Sequence, residues 1–274
     1  MKNIIILLLS ISIVVAKDDF KRYYFQSKSP TYQSINDREY QTAIKLFGVL
    51  FQNRQLNLNE KRMLHSIGLK TLLSDDEKML LSDDEENGRG LYMIRYAKNR
   101  TPKNMISIPH RFYDIGTGVI GYQLMQEHSY RAIAFNTVHR KVMDAAHTPQ
   151  TLFNAFHVAF AKHYADENIY QLHGFSHKKR KLTSRKIGEA IVSSASITPT
   201  KQAKNIDECL HAQGIDSLLY GRDIFELGGE TNTQAETLRA YGFDNFIHIE
   251  MSSLLRKRLK ESSVARQQII ECLP

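Results

Sequence analysis

The sequence predicts an α/β fold of three layers, α/β/α, around a mainly parallel (mixed) sheet, with an N-terminal helical extension. Three observations carry this reading. From Leu91 onward, short β-rich runs alternate with stretches of helical spacing, which implies parallel strands joined by covering helices. Hydrophobic residues make up 42% and charged residues 24% of the 274, enough apolar surface for a large core and too much for a disordered chain. Only 2 cysteines are present, so neither a disulfide framework nor a four-thiolate zinc site holds the fold together.

Residues 1–16 read as a secretory signal peptide. Lys2 supplies the positive end and Ile4 to Val15 the apolar run, with Val14 and Ala16 placed as a cleavage site before Lys17. The run is too short to span a bilayer comfortably as a helix. The expected mature chain begins near Lys17, is periplasmic or secreted, and keeps no stable membrane span; an uncleaved anchor is the alternative. In an oxidising compartment, Cys209 and Cys272 become candidates for a disulfide, but spacing alone cannot establish their Cα separation.

Residues 17–90 read as a mainly helical extension. The polar and aromatic stretch 17–35 is an extended lead-in. From Asn36 the spacing turns helical, and Tyr40, Ile44, Phe47, Leu50 and Phe51 share a face. A second helix is expected from Asn59 to Leu73. Leu73-Ser-Asp-Asp-Glu77 recurs as Leu81-Ser-Asp-Asp-Glu85, and Ser74 with Glu77, like Ser82 with Glu85, matches a capping box at a helix start. The acidic run from Asp83 imitates a calcium loop, but Ile94 stands where the twelfth position needs a carboxylate.

Residues 91–274 read as the α/β domain. Strands are expected at Leu91–Tyr96, Met105–Pro109, Ala132–Asn136, Ile169–His173, Ala190–Ser194, Ser217–Tyr220 and Phe246–Glu250, with helices near 117–128, 151–165, 200–212, 232–241 and 252–261. Ligands in such folds bind beyond the carboxyl ends of the strands. His110 leaves one strand and is followed by Asp114 and a glycine-bearing turn; Asp114 is either a metal ligand or the cap of the next helix. His173 closes another strand. Two histidines and a carboxylate are the usual set for a catalytic zinc with one position open. Glu250, ending the last strand on the same face as His248, suits a general base and acid. Candidate substrate contacts are Arg140 and Asn136 after the third of these strands, and Asn232 after a glycine-rich loop. Arg185 beyond the basic run His177 to Lys181 and His147 in a loop before Pro149 complete the set.

The order of these pieces resembles the N-formylglutamate amidohydrolase family, which is related to zinc carboxypeptidases and amino-acid deacylases. Pro109-His110 matches the family's Pro-His at the end of an early strand, and Asp114 its acidic ligand. Asn136 to Arg140 resembles an Asn-Arg pair with three residues inserted. Gln171-Leu172-His173-Gly174 matches an Asp-Leu-His-Ser strand end, and Gly228-Gly229, Ile249-Glu250 and Arg256 resemble the C-terminal part. The resemblance spans roughly residues 104–260. It implies a phosphorylase/hydrolase-like sheet and zinc held by His110, Asp114 and His173. Arg111-Phe112, Gln171 and Gly174 depart from the pattern and point away from formylglutamate itself.

The formal charge is +8, from 37 Lys+Arg against 29 Asp+Glu. For an exported chain lacking any recognised nucleic-acid module, this favours a small anionic substrate or a peptidoglycan fragment over nucleic acid. The function expected from the sequence is therefore an exported zinc-dependent hydrolase of an amide bond in a small peptide, N-acyl amino acid or peptidoglycan fragment. The alternative is a non-catalytic cell-envelope binding protein on the same fold. An esterase using Ser176 or Ser252 lacks a Gly-x-Ser-x-Gly elbow.

Overall fold

The structure, a computed structural model, describes residues 20–52, 55–96, 101–176 and 188–274. The expected signal peptide, Arg185 and the basic run 177–181 lie outside the described residues. One nine-stranded sheet runs through the molecule in the order β1-β2-β3-β5-β4-β6-β9-β7-β8. Its strands are β1 Leu69–Ser74, β2 Lys78–Asp83, β3 Leu91–Arg95, β4 Lys103–Ile108, β5 Tyr130–Phe135, β6 Ile169–Phe175, β7 Ala190–Ser193, β8 Ser217–Leu219 and β9 Phe246–Ser252. The central pairings β5-β4, β4-β6 and β6-β9 are parallel, as is β7-β8. The pairings β1-β2, β2-β3, β3-β5 and β9-β7 are antiparallel, so the sheet is mixed.

Alternation along the strands separates two cores. Met105, Ala132, Ala134, Ile169 and Phe246 pack with α1 (Asp37–Phe51), α4 (Leu152–His163) and α6 (Thr233–Ala240) on one face. Ile106, Ile133, Tyr170, Leu172 and Ile249 pack on the other with α3 (Thr117–Glu127), α5 (Lys201–Ala212), α7 (Ser253–Glu261) and α8 (Ser263–Cys272). This is the three-layer α/β/α arrangement. Strands buried on both faces read as near-continuous apolar runs, which is why this part was readable. Cys209 of α5 and Cys272 of α8 form a disulfide with a Cα separation of 5.5 Å.

The segment before residue 91 departs from the expectation. Residues 20–26 are helical and not extended. Helix α1 is as predicted, with Asn36 and Glu39 forming a reciprocal cap. Helix α2 (Leu58–Ser66) stops short of Leu73, because Gly68 takes a positive φ of 76° and the chain turns into β1. The two Ser-Asp-Asp-Glu motifs do not start helices. Asp75 Oδ1 accepts from the N–H groups of Glu77 and Lys78, both at 2.8 Å, and closes the β1-β2 hairpin turn. Asp83 Oδ2 accepts from the Arg89 N–H and the Ser29 hydroxyl, both at 3.0 Å. The hairpin prolongs the sheet through β3, so the sheet runs on across residue 90.

Candidate metal and catalytic site

The site forms where β4, β6 and β9 end. Pro109 follows β4, and the chain makes a helical turn in which the His110 carbonyl accepts from the N–H groups of Tyr113 (2.9 Å) and Asp114 (2.8 Å). One such turn brings residues i and i+4 to the same side. His110 Nδ1 stands 3.3 Å from Asp114 Oδ2, and His173 Nδ1 stands 3.6 Å from the same oxygen. Ligand atoms of all three lie within 4.8 Å of one another, and all three residues are buried. Asp114 does not cap α3. The cap position belongs to Gly116, at a φ of 99°, and the Asp114 side chain instead accepts from the Gly174 N–H at 3.1 Å.

The outer nitrogens decide what the inner ones can do. His110 Nε2 donates to Asp144 Oδ1 at 2.7 Å, and His173 Nε2 donates to Gln171 Oε1 at 2.8 Å. Both rings therefore turn Nδ1 toward one carboxylate oxygen, the nitrogen that would offer its lone pair to a cation held there. Such a convergence needs a positive charge at its centre, and two imidazoles with a carboxylate, each ring oriented from behind, form a donor set that fits zinc. The electrostatics agree. Burial pulls His110 down, but Asp114 and Asp144 outweigh it and hold the imidazole above its ordinary value. Burial opposes ionisation of Asp114, yet His110 and His173 depress it well below the carboxylate range. Burial, with His248 beside it, lowers His173 to about 4.

Strand register supplies the rest. In the parallel pair β6-β9, Gln171 lies opposite His248 and His173 opposite Glu250. The His173 and His248 rings lie 4.3 Å apart, and His248 Nε2 is 3.6 Å from Glu250 Oε1. Glu250 Oε2 is buried with no hydrogen-bond partner among the described residues. Burial raises its carboxyl, but His248 and His173 outweigh that and keep it below its ordinary value, hence ionised. A Cβ at Gly174 would displace the Arg256 guanidinium, which lies against the strand and donates to the Ile115 and Phe175 carbonyls at 2.8 and 3.2 Å.

Two clefts meet at this point. One of about 610 Å³ opens beside α7, and one of about 340 Å³ opens beneath the loop before α6; Arg140, His173 and Glu250 line both. Arg140 Nε donates to Asp144 Oδ2 at 2.7 Å. Asn232 caps α6 and donates to Gln171 Oε1 at 2.5 Å; it lines the smaller cleft but serves the scaffold of His173. His147 also lines that cleft and is bonded through Nδ1 to the Thr231 carbonyl at 2.9 Å. Asn136 is not at the site as expected. It is buried, and its amide donates to the Pro109 and Val138 carbonyls at 2.8 and 3.1 Å, bracing the two loops. Ser252 caps α7 through its hydroxyl oxygen, which accepts from the Leu255 N–H.

Asp144 had no role in the sequence reading. Its signal was faint, a carboxylate four residues after Arg140 in a loop without periodicity. Gln171 appeared there only as a departure from a pattern.

No family model matches the chain and no curated protein matches it. Solved structures give distant likenesses. A bacteriophage poly-gamma-glutamate hydrolase is 14% identical with a TM-score of 0.38, covering 66% of this chain and 87% of that one. A gene product of Agrobacterium tumefaciens is 11% identical with a TM-score of 0.42, covering 63% and 89%. An aspartoacylase family protein from Mesorhizobium loti is 10% identical with a TM-score of 0.41, covering 75% and 66%. Likenesses of this degree carry no functional argument, and the chemistry has to come from the residues themselves.

Proposed function

We propose that the protein is an exported zinc-dependent hydrolase of an amide bond in a peptide, N-acyl amino acid or peptidoglycan fragment. One observation carries this reading: the Nδ1 atoms of His110 and His173 converge on Asp114 Oδ2, while Asp144 and Gln171 hold the outer nitrogens. His110, Asp114 and His173 hold the metal. Zinc, when bound, supplies Lewis acidity toward the scissile carbonyl and makes water easier to deprotonate. Glu250, ionised and with Oε2 unpartnered, takes the proton of the attacking water and returns it to the leaving amine. Arg140 is oriented through Nε by Asp144, which leaves its terminal nitrogens to receive a substrate carboxylate. Export is supported by the N-terminal pattern and by the Cys209–Cys272 disulfide, which belongs to an oxidising compartment.

Metal analysis of purified protein tests the reading. About one zinc per chain is expected, as a single catalytic site requires. The paired change His110→Ala with His173→Ala abolishes it, and retention of the metal overturns the ligand assignment. Glu250→Gln keeps zinc and loses amide hydrolysis by a factor on the order of 100 or more. A non-catalytic envelope-binding protein shows neither turnover nor any effect of that change.

A further inference from the structure

We infer that the substrate is an extended chain cut at an internal amide, with an anionic segment along α7 and an uncharged segment, aromatic where it meets Phe225, under the loop before α6. This rests on the amide-hydrolase reading above and goes further, to the shape and charge of what is bound. The two clefts leave the ligand group in different directions beyond the strand ends. The larger passes toward α7 and the turn before α3, and the smaller toward the loops before α4 and α6. At about 610 and 340 Å³, each is large enough to hold a small ligand on its own. The reacting position is therefore the middle of a trough that crosses the rim of the sheet. A site built for a terminal residue would close on one side.

The two arms differ in charge. Lys257 and Lys260, three apart on α7, line the larger arm and have no acidic partner among the described residues. Arg256 adds charge there, although its guanidinium is already bonded to backbone carbonyls of Ile115, Phe175 and Met251. Unpaired cations one helical turn apart favour a segment bearing more than one carboxylate. The smaller arm is lined by His110, His147 and His248 as well as by Tyr220, Leu227 and Phe225, the last 64% exposed. Its carboxylate beyond the shared Glu250, Glu230, accepts the Tyr220 hydroxyl at 2.7 Å. Gly228 lies directly against the Tyr220 ring, where any side chain would collide with it. Apart from Arg140 at the junction, no Lys or Arg among the described residues lines this arm, so an uncharged segment suits it better than a carboxylate.

Binding to zinc-loaded Glu250→Gln protein tests the inference without needing turnover. The probes are fluorescent peptides capped at both ends: Glu-Glu-Phe-Phe, its reversal Phe-Phe-Glu-Glu, and the neutral Gln-Gln-Phe-Phe. One of the two acidic orders is expected to bind about tenfold more tightly than the other and than the neutral peptide. Adding Lys257→Ala with Lys260→Ala removes the advantage over the neutral peptide, and Phe225→Ala weakens the preferred order. Equal binding of both orders, an advantage that survives the lysine changes, or no binding of any probe overturns the inference. Release of only terminal residues by the unaltered enzyme also overturns it. Absence of zinc or of all amide hydrolysis counts instead against the proposed function, because the binding comparison still reads the trough.

Discussion

Asp144 joins the metal-ligand group to the candidate substrate-binding arginine. One of its oxygens accepts from His110 and the other from Arg140, both at 2.7 Å. Burial opposes its ionisation, but His110 and then Arg140 outweigh it and bring the carboxyl down to about 2. It therefore acts as a full negative charge that fixes the His110 tautomer and aims the Arg140 fork. Asp144→Asn keeps the shape and loses the charge. The expected result is a zinc affinity lower by about 10- to 100-fold, the usual cost of removing such a supporting partner, with a raised KM for carboxylate substrates. Competition with a chelating dye measures the first effect. An affinity within about twofold of the original would mean that His110 does not depend on Asp144 for its orientation. Residues at strand ends could be found from the sequence because topology dictates where such ends gather. His110, His173 and Glu250 were legible on that ground, and Asp114 by its spacing from His110. Asp144 and Gln171 act through a ring nitrogen's far side, and no spacing rule announces that.

Among the elements, the strands and helices from β3 to α7 follow their hydrophobic periods, whereas the hairpin β1-β2 does not. Ser-x-x-Glu describes a helix cap equally well as the rim of a turn closed by an Asp between them, and only the pairing partner β3 decides. Helix α8 was not foreseen, since its burial against α5 is fixed by tertiary contact and the disulfide. Helix α4 carries the element-scale prediction. His157, wholly buried in it, donates from Nδ1 to the Phe153 carbonyl at 2.6 Å and accepts through Nε2 from the Ser107 hydroxyl at 2.7 Å. Ser107 Oγ in turn accepts from Gln171 at 3.1 Å, which links α4 to the residue behind His173. Burial lowers His157 to about 4, against a slight opposing pull from the Phe153 carbonyl. The unfolded chain takes up a proton near pH 6.5 while the folded chain refuses it until about pH 4. Stability is thus fully present above about pH 6.5 and falls across that window, by roughly 3 kcal/mol for this group. Urea melts between these pH values should show a shallower decline for His157→Gln than for the unaltered chain. Parallel declines would remove His157 from the account.

At the scale of the molecule, residues 20–35 are part of the domain and brace the site from outside. Phe20 and Tyr24 are buried beside Tyr122, with ring centroids 5.2 and 5.3 Å from it. The Arg111 guanidinium, next in sequence to His110, lies 3.9 Å over the Tyr24 ring. It donates to the Tyr24 carbonyl and, at 2.9 Å, to the Ser27 hydroxyl. The Ser29 N–H donates to the Thr137 carbonyl at 2.8 Å, and the Gln33 N–H to the Asn87 carbonyl at 2.9 Å. One strap therefore joins the loop after β4, the loop after β5 and the turn before β3. None of this shows in the sequence, where the stretch has no period and Arg111 reads only as an exchange for a small residue. Removing the chain through residue 31 deletes the buried Phe20 and Tyr24 side chains, each worth about 2 kcal/mol of burial, uncovers Tyr122, and leaves the Arg111 charge without its acceptors. We expect a loss of about 5 kcal/mol in urea unfolding, a large part of a typical domain's stability, together with weaker zinc binding because His110 adjoins the released arginine. Arg111→Met keeps the apolar packing and separates the two contributions, since it should retain most of the stability that truncation removes. A truncated chain that melts within about 1 kcal/mol of the full one and binds zinc as tightly would show that the strap only rests on the surface.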